Sequence, residues 1–163
     1  MRTTGESLTP FMAFGQGCSR LRGMNPSSDN ILPHIIFAED NPDHAFLIRR
    51  VLELHCVLTY ASDGEQLLEI LESWMDELPR LVLIDVNLPR LSGLEVLEKL
   101  RLKPEWRCVP MVVFSTSKLR LEVERALNAG ANSFVVKPAK FTEFREVLEQ
   151  IVAYWTKVNA TPS

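Results

Sequence analysis

Cysteine is scarce and poorly placed for cross-linking: Cys18, Cys56 and Cys108 are odd in number and widely spaced. They offer neither metal-ligand spacing nor a disulfide framework, which argues against a zinc-stapled or disulfide-rich scaffold and fits a reducing, cytoplasmic setting. No apolar stretch approaches the roughly 20 residues needed to span a bilayer, so no membrane partner is expected. The net charge of -3 gives no global pull toward nucleic acid. At 163 residues the chain has room for one domain with a sizeable core and is short for two.

What is present divides unevenly. Residues 1–30 carry four glycines, Pro10, Pro26 and the cluster Ser27-Ser28-Asp29-Asn30. Without sustained periodicity, they read as a disordered N-terminal extension and match neither a full signal peptide nor a transit helix. The domain is expected over 31–158, with a short tail at 159–163. Within it, β-rich runs at 34–38, 56–60, 81–84, 110–114 and 133–136 alternate with helical patterns near 42–54, 64–76, 93–103, 118–129 and 141–157. Five strands alternating with five helices predict a parallel sheet wound on both faces by βαβ crossovers. The central runs are continuously apolar, as strands covered on both faces should be. Punctuation agrees: Asn41-Pro42 places proline at a helix start, and Asp63-Gly64 and Ser92-Gly93 mark strand-to-helix turns. Gly130 falls just past the fourth helix.

The chemistry collects at the strand ends. Glu39 and Asp40 follow the first run, Asp85 the third, Ser115 the fourth and Lys137 the fifth. In a doubly wound sheet these carboxyl ends share one crevice, where ligands of open α/β sheets bind. Singly, each residue has a plainer role as helix cap, turn residue or solvated strand exit; four such endings together point to a site. Clustered carboxylates repel one another, and Mg²⁺, a hard cation with oxygen ligands, removes that cost while keeping waters for a phosphoryl group. A lysine and a hydroxyl beside it would neutralise a phosphoryl group moving onto Asp85, an established nucleophile type. Glycine-rich phosphate loops are absent after the first strand, against a nucleotide- or flavin-binding module. A small aspartate-nucleophile phosphohydrolase would place a second Asp two positions after the nucleophile as general acid; that position is Asn87.

The segments Ala38-Glu39-Asp40-Asn41, Leu83-Ile84-Asp85-Val86-Asn87-Leu88-Pro89, Ser92-Gly93, Phe114-Ser115-Thr116-Ser117, Gly130-Ala131 and Val136-Lys137-Pro138 resemble a response-regulator receiver domain in order and spacing. The resemblance runs from about Pro33 to Trp155. It implies a CheY-like, flavodoxin-like (βα)5 doubly wound sandwich, its five-stranded parallel sheet in the order 2-1-3-4-5. It further implies that Asp85 accepts a phosphoryl group from a sensor histidine kinase. Glu39, Asp40, Asp85 and the backbone carbonyl of Asn87 would hold Mg²⁺, Lys137 would bridge the phosphate, and Ser115 and Phe134 would form the switch. Phe134 stands where a Tyr is common, and Thr116 where many receivers have Ala or Gly. The protein would be a phospho-acceptor regulator, at most phosphorylating and dephosphorylating itself. Asn87-Leu88-Pro89-Arg90, Ser115-Thr116-Ser117-Lys118 and the last helix ending Ile151-Val152-Ala153-Tyr154-Trp155 resemble most the single-domain regulators that partner bacterial and cyanobacterial phytochromes. The chain's end eight residues after Trp155 leaves no room for an output domain, so output is expected through protein contacts. Surplus apolar residues on the last helix (Phe144, Val147, Leu148, Ile151, Val152, Tyr154 and Trp155) suggest a partner surface, hence a homodimer through this C-terminal region. A receiver-like adaptor that works without phosphorylation is the alternative reading.

Overall fold

The computed structural model describes residues 32–160; the N-terminal extension expected over 1–30 and the last three residues lie outside them. Strands β1 (His34–Ala38), β2 (Val57–Ala61), β3 (Leu81–Ile84), β4 (Met111–Ser115) and β5 (Ser133–Val136) alternate with helices α1 (Pro42–Leu52), α2 (Gly64–Glu72), α3 (Gly93–Arg101), α4 (Arg120–Asn128) and α5 (Phe141–Ala153). All strand pairs are parallel and the order is β2-β1-β3-β4-β5. Two features were not anticipated: a 3₁₀ turn at Pro104–Trp106 and a π-helical turn at Tyr154–Val158 closing α5.

Period-two alternation of side chains sorts the central strands onto two cores. Ile35, Phe37, Leu81, Leu83, Val112 and Phe114 face α1 (Ala45, Ile48, Leu52) and α5 (Phe144, Leu148, Ile151, Val152). Their neighbours Ile36, Ala38, Val82, Ile84 and Met111 face α2 (Leu67, Leu71), α3 (Val96, Leu97, Leu100) and Trp106. Because both faces are covered, β3 is apolar throughout, and β1 and β4 are apolar apart from His34 at the start of one and Ser115 at the end of the other. Much of the apolar surplus on the last helix is absorbed here, since Val147 and Trp155 also pack against the first core, while Tyr154 stays half exposed.

The caps stand where the punctuation put them. Asn41 caps α1 through its side chain with Pro42 at the first position, Asp63 caps α2, and Ser92 with Glu95 forms a capping box on α3. Helix ends are shorter than the periodicity suggests, and Ser115 is the last residue of β4 rather than the first beyond it. Cys56 is a buried free thiol, raised above its ordinary pKa by burial. Cys108, against the expectation of unpaired thiols, is disulfide-bonded; widely spaced cysteines carry no local pattern from which pairing can be read.

The end of α3 is tied down by one side chain. Arg101 donates through Nε to Gly130 O (2.8 Å), through Nη1 to Trp106 O (2.6 Å) and Val109 O (3.1 Å), and through Nη2 to Asn132 Oδ1 (2.7 Å). It thus joins α3, the approach to β4 and the α4–β5 turn, and burial pulls the guanidinium below its ordinary pKa. Removing it takes a donor from all four oxygens; Trp106 O and Asn132 Oδ1 keep the backbone N–H groups of Val109 and Met111, whereas Gly130 O and Val109 O lose the guanidinium. Arg101→Ala is therefore expected to cost about 2–3 kcal/mol, read as a lower urea midpoint with an unchanged denaturant slope.

Candidate functional site: an acidic crevice with a buried lysine

The site forms where β1, β3, β4 and β5 end. Parallel pairing places Ala38 beside Ile84, so Glu39 and Asp85, each one residue further on, emerge side by side. Asp85 N–H donates to Ala38 O at 3.1 Å, and Glu39 N–H to Ala61 O at 3.1 Å. On the far side, Lys137 N–H donates to Ser115 O at 2.8 Å, which extends the β4–β5 ladder by one rung. Gly93 is required by clearance: a Cβ there would lie 2.0 Å from Asp85 O.

Lys137 reaches across the crevice. Its Nζ donates to Glu39 Oε2 at 2.5 Å and also to Asp85 Oδ2, and it lies 5.7 Å from the centre of the Phe114 ring. Glu39, Asp85 and Lys137 are 1, 6 and 5% exposed, so three charged side chains share a nearly dry pocket. Buried charges persist only when paired and hydrogen-bonded. Glu39 Oε1 accepts from Asn41 N–H at 3.1 Å, and Asp85 Oδ1 from Asn87 N–H at 3.1 Å. Asp40 is exposed at the rim. Carboxylate oxygens of Glu39, Asp40 and Asp85 all lie within 4.8 Å of one another. An all-oxygen donor set suits a hard divalent cation better than zinc or copper, which favour nitrogen and sulfur.

The remaining expected residues surround this centre. Ser115 is fully buried, and its Oγ accepts from Ser117 N–H at 3.4 Å. Thr116, next to it, is exposed. Asn87 has an exposed side chain and joins the centre through its backbone. Phe134 is half-buried on β5, packed against a small cluster of Val86, Val113 and Ala126. Two further residues escaped the sequence reading. The Tyr60 hydroxyl donates to Glu39 O at 2.9 Å, and His44 Nδ1 lies 3.5 Å from Glu39 Oε1. His44 follows Glu39 by five positions, a faint cue; Tyr60, on β2, carries no local one.

A parallel 2-1-3-4-5 sheet with acids at the ends of β1 and β3 and a lysine at the end of β5 defines a receiver of the two-component phosphorelay type. The chain belongs to this family: the family model of the response regulator receiver domain matches residues 35–149. Among proteins it resembles, a probable methanogenesis regulatory protein FilR2 of Methanothrix harundinacea is 34% identical over 78% of this chain and 86% of that protein. The crystal structure of a phosphorylated cyanobacterial phytochrome response regulator, RcpA, is 25% identical, covers 82% of this chain and 100% of its own, and superposes with a TM-score of 0.77. The receiver domain of sensor histidine kinase PA1611 from Pseudomonas aeruginosa, solved with a magnesium ion in its active-site cleft, is 28% identical, with a TM-score of 0.62 over 74% of this chain and 97% of that one.

Withdrawing the lysine should expose the cost of this arrangement. Lys137→Met leaves two buried carboxylates facing each other, a loss expected at roughly 3–5 kcal/mol. Urea denaturation in chelator-treated buffer measures it, and addition of magnesium should narrow the gap.

Proposed function

We propose that Asp85 takes a phosphoryl group from the phosphohistidine of a sensor histidine kinase and that the phosphorylated protein signals through protein contacts. The observation that carries this reading is the convergence of a nearly buried Asp85 with Lys137, Glu39 and Asp40 at one sheet edge. In the transfer, an Asp85 carboxylate oxygen forms the new bond to phosphorus, the N–P bond to the kinase histidine breaks, and that bond's electron pair stays on the imidazole. Lys137, already aimed at Asp85, stabilises charge on the phosphoryl oxygens and gives up part of its bond to the carboxylate. Glu39, Asp40, Asp85 and the Asn87 carbonyl would hold Mg²⁺. When bound, Mg²⁺ would supply positive charge and coordination positions for phosphoryl oxygens.

Ser115 is then the hydroxyl that donates to the phosphoryl group, drawing the 116–119 segment with it, and half-buried Phe134 changes its packing in response. Such a device is a two-state element biased by a local charge. Asn87 argues against hydrolase turnover, because its side chain has no acidic proton to give a leaving group. The likeness to a phytochrome response regulator supports a phytochrome as the cognate kinase. Among the described residues no helix is long and apolar enough to cross a membrane. Our reading is of a cytoplasmic regulator without a nucleic-acid partner.

Radiolabelling from acetyl phosphate or from a phosphorylated histidine kinase tests the assignment: wild type should acquire an alkali-labile phosphoryl group, and Asp85→Asn should fall to background. Equal labelling of the two proteins would sink it. For the quaternary state, exposed Tyr154 and Val158, one turn apart at the chain's last helix, support a homodimer through this region. Sedimentation velocity should find dimers for wild type and monomers for Tyr154→Asp.

A further inference from the structure

The connection between β3 and α3 is fastened on its outer side by residues the phosphotransfer reading does not use. Arg90 has φ 66, a left-handed conformation that costs a non-glycine residue roughly 1 kcal/mol. Glycine would hold that turn more cheaply, so the presence of arginine points to its side chain. One guanidinium nitrogen, Nη2, donates to Asp63 Oδ2, and Nε lies 3.5 Å from Glu65 Oε2. Asp63 is 2% exposed, and a carboxylate that deep has to be matched. Besides Arg90, it accepts from Gln66 N–H at 2.9 Å and from Ser62 Oγ at 3.3 Å.

The backbone joins the same two turns. Gly64 N–H donates to Pro89 O at 3.3 Å, and a Cβ on Gly64 would meet Leu91 O at 1.7 Å. On its inner side the loop presents Asn87, whose N–H donates to Asp85 Oδ1, and it closes with Gly93 N–H donating to Val86 O at 3.0 Å. The loop therefore lies between the β2–α2 turn and the acidic crevice, and what grips one side orients the other.

We infer that Arg90 is a positioning residue for the cation site: its ion pair with Asp63 pins the 86–92 loop to the β2–α2 turn and so aims the Asn87 carbonyl into the crevice. The inference rests on the magnesium site proposed above. Arg90 touches neither the cation nor the phosphoryl group and acts only through the loop.

Four variants test it, each followed by calorimetric titration with Mg²⁺ and by amide hydrogen exchange in metal-free buffer. Arg90→Gly suits the backbone but lacks the cation, and is expected to bind Mg²⁺ about tenfold more weakly, the low end for outer-shell partners, with faster exchange at Leu91 and Gly93. Asp63→Asn can still cap α2 and should give the same two changes. The double variant should be no worse than either single one, as members of one pair behave, and Arg90→Lys should stay near wild type. Wild-type affinity and exchange in Arg90→Gly, or additive losses in the double variant, overturn the inference. Should wild type bind no Mg²⁺, the cation site itself fails, and metal-free exchange then decides the latch: faster exchange in Arg90→Gly and Asp63→Asn upholds the pinning, and unchanged exchange overturns it.

Discussion

A buried ammonium group between two buried carboxylates is the interaction on which this structure turns. Lys137 Nζ bonds both Glu39 and Asp85, and in a site this dry each of those attractions is worth far more than on a surface. Desolvation is equally large, so the trio is tolerable only with its hydrogen bonds satisfied. Asn41 and Asn87 supply backbone N–H donors to the two acids, and the ring of Phe114 lies against the cation. Even so, two acids share one lysine, with Asp40 close at the rim. The crevice holds an excess of negative charge, which gives a hard cation a place and a phosphoryl group a reason to need one.

Everything else positions that edge. Glu39 and Lys137 are 98 residues apart in sequence, and only parallel pairing in the order β2-β1-β3-β4-β5 delivers both to the same end of the sheet. The two apolar cores fix the register, because a slip of one residue would exchange the faces of a strand and bury its wrong side. Side-chain caps then turn the chain into a helix beyond the acidic ends of β1 and β3. Asn41 begins α1 two residues after Glu39, and Ser92 begins α3 after the loop that carries Asn87.

Legibility varied with how local each determinant is. The strands, the Asn41, Asp63 and Ser92 caps, and the cluster of Glu39, Asp40, Asp85 and Lys137 could be read from apolar runs and the residues that end them, whereas the strand order came only with the resemblance to receivers. Helix ends were less legible. Periodicity carried α2 to residue 76, whereas the helix stops at Glu72 and Ser73 turns its hydroxyl to Glu69 O. The last helix looked too apolar for one buried face, yet Val147 and Trp155 reach the core; a long aromatic side chain can fold back over a helix end, which periodicity does not register. Asp63 and Arg90 were visible only as a turn residue and a family cue, because their pairing spans two loops that are distant in sequence.

By itself the sequence determined which residues are available for chemistry and which segments are strand or helix, since hydrophobic periodicity and capping act over a few neighbours. It therefore specified an acid, a hydroxyl or a lysine at the end of four strands. Tertiary structure alone decided the electrostatics: that Lys137 divides itself between Glu39 and Asp85, that Asp63 is buried and takes Arg90, and that Tyr60 holds the Glu39 carbonyl. Those outcomes depend on distance and on exclusion of water, and both arise only when strands far apart in the chain are packed side by side.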